Sequence, residues 1–187
     1  MRRRISRPLG LLAAAALACG SGAERPQPPG ASRAGASPAA SPAGPRRLFH
    51  ATTSAEELVA RVLKAVEASD LQTLDDLRVN EREHNQLLWP EWPAKGYNVS
   101  QEFAWDMLNT RSHTNAARAI SAWGGRALTP IATRFPTGVE RYATFALHRG
   151  TLVTATAESG EEIELGFIGS LLELDGQWKV LSYREAD

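Results

Sequence analysis

Val139–Glu185 reads VERYATFALHRGTLVTATAESGEEIELGFIGSLLELDGQWKVLSYRE. Apolar and polar residues alternate along most of it, which is the pattern of half-buried strands and not of a helix. Arg149-Gly150, Ser159-Gly160 and Asp175-Gly176 punctuate it as turns, so it reads as four strands in series. Asp175-Gly176 is the strongest hairpin signal, because both central residues of that turn type need positive φ. Just upstream, ALTPIATRF (Ala127–Phe135) reads as one more short strand. Pro130 cannot donate to a ladder and places that strand at an edge.

Before Gly125 the period is helical. Ser54-Ala55-Glu56-Glu57 has the form of a capping box, and Leu58, Val59, Val62, Leu63 and Val66 follow at helical spacing. Ser69-Asp70 restarts the chain, and Leu71, Leu74 and Leu77 make a short second helix. Asn80 caps a third, with Glu83 at its third position. That helix is expected to stop near Trp89, because Pro90 disfavours helical geometry at the residue before it. A fourth starts near Ser100 and ends at Gly124-Gly125. Phe103, Ala104, Met107 and Leu108 form its first apolar face, and Ala116, Ala117, Ile120 and Trp123 its last. The polar run NTRSHTN (Asn109–Asn115) between them predicts a break or kink. Helices first and an antiparallel meander afterwards make an α+β fold, with N-terminal helices packed on one face of an antiparallel sheet.

The first 50 residues are of another kind. A basic start, MRRRISRP, precedes ten apolar residues, Leu9–Ala18, which are too short to span a bilayer. Together they predict an export signal peptide over residues 1–18. Ala16-Leu17-Ala18-Cys19 supports two cleavage readings. One is a lipobox, which makes Cys19 the lipidated first residue of a bacterial lipoprotein. The other is ordinary small-x-small cleavage, giving a secreted or periplasmic soluble protein. Cys19 is the only cysteine, so an intrachain disulfide and a cysteine zinc cage are both excluded. From Gly20 to Arg47, 22 of 28 residues are Ala, Pro, Gly or Ser. Residues 19–50 therefore read as a lipidated Cys followed by a disordered tether, and residues 51–187 as one domain. The expected location is the bacterial cell envelope, with the domain outside the cytoplasm and a membrane as partner through the lipid.

Formal charge is zero, but it is unevenly placed. Residues 1–50 hold eight of the 21 basic side chains and one of the 21 acidic ones, leaving 13 basic against 20 acidic in the domain. A net charge of −7 there lacks the basic footprint that nucleic acid requires.

Candidate chemistry is sparse. EREHNQLLWPEWP (Glu81–Pro93) holds Glu81 and His84 at the spacing used in di-metal bundles, but in a single copy. A solvated pair is the simpler reading, and no metal is expected. Trp89, Trp92 and Tyr97 lie in Pro-punctuated sequence, where aromatics form a pocket rim or staple a loop. Trp105, Asn109 and His113 follow at i, i+4 and i+8 on one helix face. That face either lines a pocket or looks into solvent. His50 and His148 are read as exposed, His148 because it precedes a turn. No G-x-S-x-G, H-E-x-x-H, phosphate loop or dinucleotide fingerprint occurs, which points away from catalysis and from a cofactor.

The helix SAEELVARVLKAVEASDLQTL (54–74) and the final strands IELGFIGSLLELDGQWKVLSY (163–183), in this order, resemble the nuclear transport factor 2-like superfamily, which includes SnoaL-like and ketosteroid-isomerase-like domains. The resemblance covers residues 51–187. It implies a cone of curved sheet around helices, with a pocket at the wide end. Such pockets serve isomerases, dehydratases, hydrolases, binders and dimerisation modules, so fold alone leaves function open. An isomerase-like reaction would draw on Asp106, Tyr97 or His113 as acid–base groups, but no motif places them beside a reacting atom. The reading favoured is a non-catalytic binding or interaction domain whose partner is a small, partly apolar ligand or an envelope protein. The alternatives are an enzyme in the same cavity and a homodimer through a strand face bearing Arg141, Ala143, Phe145 and Leu147.

Overall fold

A computed structural model describes residues 46–92 and 96–185. The expected signal peptide, Cys19 and most of the expected tether lie outside the described residues. Among the described residues the fold is α+β: helical segments come first, then seven antiparallel strands. The helices are α1 (Ala55–Glu67), α2 (Leu71–Asp76), α3 (Glu81–Glu83) and α4 (Gln101–Trp123). The strands are β1 (Leu128–Arg134), β2 (Gly138–Arg141), β3 (Ala146–Arg149), β4 (Leu152–Ala157), β5 (Glu162–Leu165), β6 (Ile168–Leu174) and β7 (Gln177–Tyr183).

Two sheets form in place of one meander, in the orders β1-β4-β5 and β2-β3-β6-β7. The expected turn at Arg149-Gly150 is a bend, not a reversal. Arg149 pairs with Ser170, and Val153 pairs with Leu165. So β3 and β4 run on in one direction beside β6 and β5, with one extra residue on the latter side. Gly150 and Thr151 both donate their N–H to the Gly169 carbonyl, at 2.9 and 3.2 Å, which holds the bend. Gly150 has φ +67°, and a Cβ there would strike the Thr137 hydroxyl, so glycine is required twice over. Ser159-Gly160 and Asp175-Gly176 do reverse the chain, with Asp175 and Gly176 both at positive φ as the turn chemistry demands. Pro130 does sit on an edge strand, β1, where a bulge leaves Ile131 unpaired and exposed.

The four-stranded sheet is covered on both faces, not one. On β6, Leu171 belongs to one core and Leu172 and Leu174 to another; on β7, Val180 and Leu181 divide the same way. The first core is built on α1. Leu58, Val59, Val62 and Val66 are wholly buried there, each contributing roughly 1.5–3 kcal/mol. The Ser54 hydroxyl caps this helix by accepting from the Glu57 N–H at 3.1 Å, a contribution of about 1 kcal/mol. Packing therefore outweighs capping. Glu57 completes no reciprocal box; its carboxylate accepts from the N–H and hydroxyl of Thr53. These hydrogen bonds hold its pKa below the usual carboxylate value.

The second core lies on the other face and gathers Leu48, Val79, Leu88, Phe145 and Leu147. Arg46–His50, read from composition as the end of the tether, pack against the domain through it. Gln177 ties this strap down, accepting from the Leu48 N–H and donating to the Arg46 carbonyl. The outer edge of β7 is covered as well: Thr52 exchanges two backbone bonds with Trp178, and Leu77 and Val79 bond Val180. An edge that would template aggregation is thereby satisfied internally.

Two helical expectations fail. The chain does not leave helical geometry before Pro90. A π-helical turn (His84–Leu88) and a short 3-10 turn (Trp89–Glu91) carry it to Trp92. Trp89 stays in the helical region at φ −53°, ψ −39°, while Pro90, lacking an N–H, sits at the start of the 3-10 turn where none is needed. Nor does α4 break: its 23 residues are continuous. Its polar middle is held by the neighbours it docks on, which overrides its weak propensity.

Candidate functional site

The aromatic residues of Glu81–Pro93 converge on a histidine that the sequence reading left in solvent. His84 is 2 % exposed. Its ring centroid lies 6.0 Å from Trp89, 5.8 Å from Trp92 and 5.5 Å from Trp105. The π-helical turn widens the helix by one residue, and His84 and Leu88 are its buried residues. His84 Nδ1 pairs with Asn85 Oδ1 at 2.7 Å. Burial depresses the imidazole pKa, against the opposing pull of that bond and of Glu81. Glu81 itself is exposed, so the solvated Glu–His pair does not exist. Trp89, Trp92 and Trp105 thus form a packed cluster. Tyr97, expected beside them on a rim, is 77 % exposed.

Trp105, Asn109 and His113 do share a helix face, but Asn109 and His113 meet other side chains. Arg78 donates to the Asn109 carbonyl at 3.2 Å and to Asn109 Oδ1 at 2.8 Å. His113 Nδ1 lies 2.8 Å from Asp75 Oδ2, and Asp75 Oδ1 accepts from Arg78 at 3.0 Å. Next along α4, Ser112 Oγ accepts from the Tyr183 N–H and Asn115 donates to the Tyr183 carbonyl. This polar run is the seam that binds α4 to α2 and β7. Arg78, Asp75, Asp76, Lys179, Asn80, Phe49 and His50 border a cavity of about 350 Å³. Arg78 and Lys179 are buried in its floor.

Behind that floor is an ion pair that sequence reading missed. Lys179 Nζ lies 2.9 Å from Glu83 Oε2, with the two side chains 1 % and 2 % exposed. Glu83 also accepts from Asn80 N–H at 3.0 Å, completing a capping box, and from Phe49 N–H at 2.6 Å. Burial lowers the Lys179 pKa, while Glu83 and Asp76 act to raise it. The clue in sequence was Lys179 between Trp178 and Val180: strand alternation puts it on the face opposite Val180, and Leu181 on the same face as Lys179 is buried.

His148, expected to be exposed, is buried on β3. Its Nε2 pairs with Glu173 Oε2 at 2.8 Å, and its ring packs between Phe135 (4.8 Å) and Trp178 (4.6 Å). Its Nδ1 is buried with no partner among the described residues. A carboxylate orienting an imidazole is half of an acid–base device. The free nitrogen, however, opens onto no solvent, so no substrate reaches it in this conformation.

The strand face expected to pair two copies is only partly exposed. Phe145 and Leu147 are buried in the second core, leaving only Arg141 and Ala143 outside. Phe49, Ile131 and Val139 are exposed singly, and two more large apolar residues are exposed together on a helix. On α4, Phe103 is 59 % and Met107 37 % exposed, one helical turn apart, although periodicity had placed both toward the core. Trp105 takes the inward position instead. Beside Met107 a groove of about 360 Å³ runs between α4 and the end of β7.

No protein-family model, curated protein or solved structure matches this chain.

Function must therefore be read from the geometry. No cluster of three metal-ligating side chains occurs among the described residues, and none of their helices is long and apolar enough to cross a membrane. Asp106 is exposed on α4 and has no hydrogen-bond partner there among the described residues. The inward ionisable groups, Glu83–Lys179, Asp75–Arg78 and His148–Glu173, close on one another. That arrangement fixes elements in place. Asp75, Asp76, Arg78 and Lys179 do border one cavity, but its two cations are already paired, Arg78 with Asp75 and Lys179 with Glu83.

Proposed function

We propose that this is an envelope lipoprotein, anchored through a lipid on Cys19, whose α+β domain has the cone-shaped nuclear transport factor 2-like fold and works as a non-catalytic interaction module. One observation carries the interaction reading: Phe103 and Met107 stand exposed on successive turns of α4, with exposed Tyr97 in the segment leading into it. Isolated exposed apolar residues are ordinary, but several large ones on one helix end mark a contact surface. The internal closure of the buried ion pairs supports binding over catalysis. N-terminal helices followed by two long, bent, antiparallel strands support the fold assignment.

The test is site-specific photo-crosslinking in intact envelopes. A crosslinking side chain at Met107 gives a discrete protein adduct, and one at Arg61, on the outer side of α1, does not. No adduct at 107, or the same adducts at both positions, defeats the reading.

A further inference from the structure

Resting on the reading of α4 as an interaction face, we infer that its partner is an acidic peptide segment carrying an apolar residue, seated in the groove between α4 and the end of β7. Met107 and Leu108 give this groove an apolar end, and Arg111 and Arg184 a basic one. Among the described residues no carboxylate lines it, although acidic side chains outnumber basic ones in the domain as a whole. Arg111 is exposed and makes no ion pair among the described residues; Arg184 is exposed and spends its Nε on the Gly166 carbonyl. Arg118, further along the helix, is held by Glu185.

The groove floor constrains how the segment is held. The backbone N–H and carbonyl of Tyr183 are already bonded to Ser112 and Asn115. A partner thus finds no free main-chain edge at Tyr183, and side chains carry recognition there, unlike strand addition. Charge sets the direction. Exposed Glu102 and Asp106 flank the Phe103 end of the helix, so the carboxylates of the segment lie toward Arg111 and Arg184 and its apolar residue toward Met107. A cationic partner would meet two arginines. A purely apolar one would bury them without compensation.

Fluorescence anisotropy with the full chain tests this. The probe is a short labelled synthetic peptide with leucine and phenylalanine followed by aspartates and glutamates. Two controls carry asparagine and glutamine, or lysine, at the acidic positions. The acidic peptide binds, weakens with salt, and loses about tenfold or more in affinity on Arg111→Glu and on Met107→Asp. An unchanged unfolding midpoint for Arg111→Glu shows that the loss is not misfolding. Equal binding of the amide peptide, tighter binding of the lysine peptide, or indifference to Arg111→Glu overturns the inference. If crosslinking from residue 107 captures a partner while acidic peptides fail, the partner class is wrong and the interaction face stands. If both fail, both fall. An adduct of twice the chain's own mass makes the groove a self-interface and likewise overturns it.

Discussion

Lys179 Nζ and Glu83 Oε2 lie 2.9 Å apart with almost no solvent at either side chain, joining β7 to the last residue of α3. The same carboxylate holds the backbone of Phe49, so one buried acid fastens three segments that are distant in sequence. Removing one partner leaves the other charge buried and uncompensated. Glu83→Gln or Lys179→Met alone is expected to cost about 3–5 kcal/mol, whereas Glu83→Gln with Lys179→Met, which removes both charges and keeps an acceptor at 83, recovers most of the loss. Urea unfolding of the three variants checks this. Equal losses in the single and double variants would show that the pair is not the unit that matters.

Stability should also depend on pH through His84. Its folded pKa lies below its unfolded value of about 6.5, so the fold prefers the neutral ring. That preference is complete above the unfolded pKa and is lost as pH falls through it toward the folded one. Unfolding free energy is therefore expected to decline from pH 7.5 to 5, and His84→Phe, which keeps an aromatic ring against Trp89, Trp92 and Trp105, should flatten the decline. A slope unchanged by His84→Phe would place the titrating group elsewhere.

The seam on α4 separates a structural role for His113 from a ligand-binding one. His113 is exposed and its contact with Asp75 is screened, so His113→Ala is expected to cost less than about 1 kcal/mol. Arg78 is buried and bonds both Asn109 and Asp75, and Arg78→Met should cost roughly 2–4 kcal/mol. Thermal unfolding orders the two; a larger loss for His113→Ala would contradict the assignment.

The lipid is tested independently of the fold. Cys19→Ser should abolish labelling by a radiolabelled fatty acid and release the protein from membranes. Continued membrane association without label would mean that another segment anchors it.

What was legible in the sequence follows from the range of the forces involved. Helix caps at Ser54 and Asn80 are local hydrogen bonds, and each side chain accepts from the residue three positions on, as its spacing said; Asp70 and Ser100, read only as helix starts, cap in the same way. The Asp175-Gly176 turn is equally local. Contacts across the fold were hidden. Nothing within a few residues of Glu83 announces Lys179, 96 positions away. The polar run in α4 reads as a helix breaker until Arg78, Asp75 and Tyr183 supply its partners. Gly150 looked like a reversal because a positive-φ glycine serves a bend as well as a turn. Burial of His84 and His148 depends on aromatic neighbours brought together only by folding.

Native mass spectrometry of the full chain, released from its own membranes in mild detergent, tests the interaction claim most directly. The account predicts a heterocomplex whose extra mass disappears in Met107→Asp while the protein remains folded. A bare monomer in the wild type, or a complex that survives Met107→Asp unchanged, would contradict it.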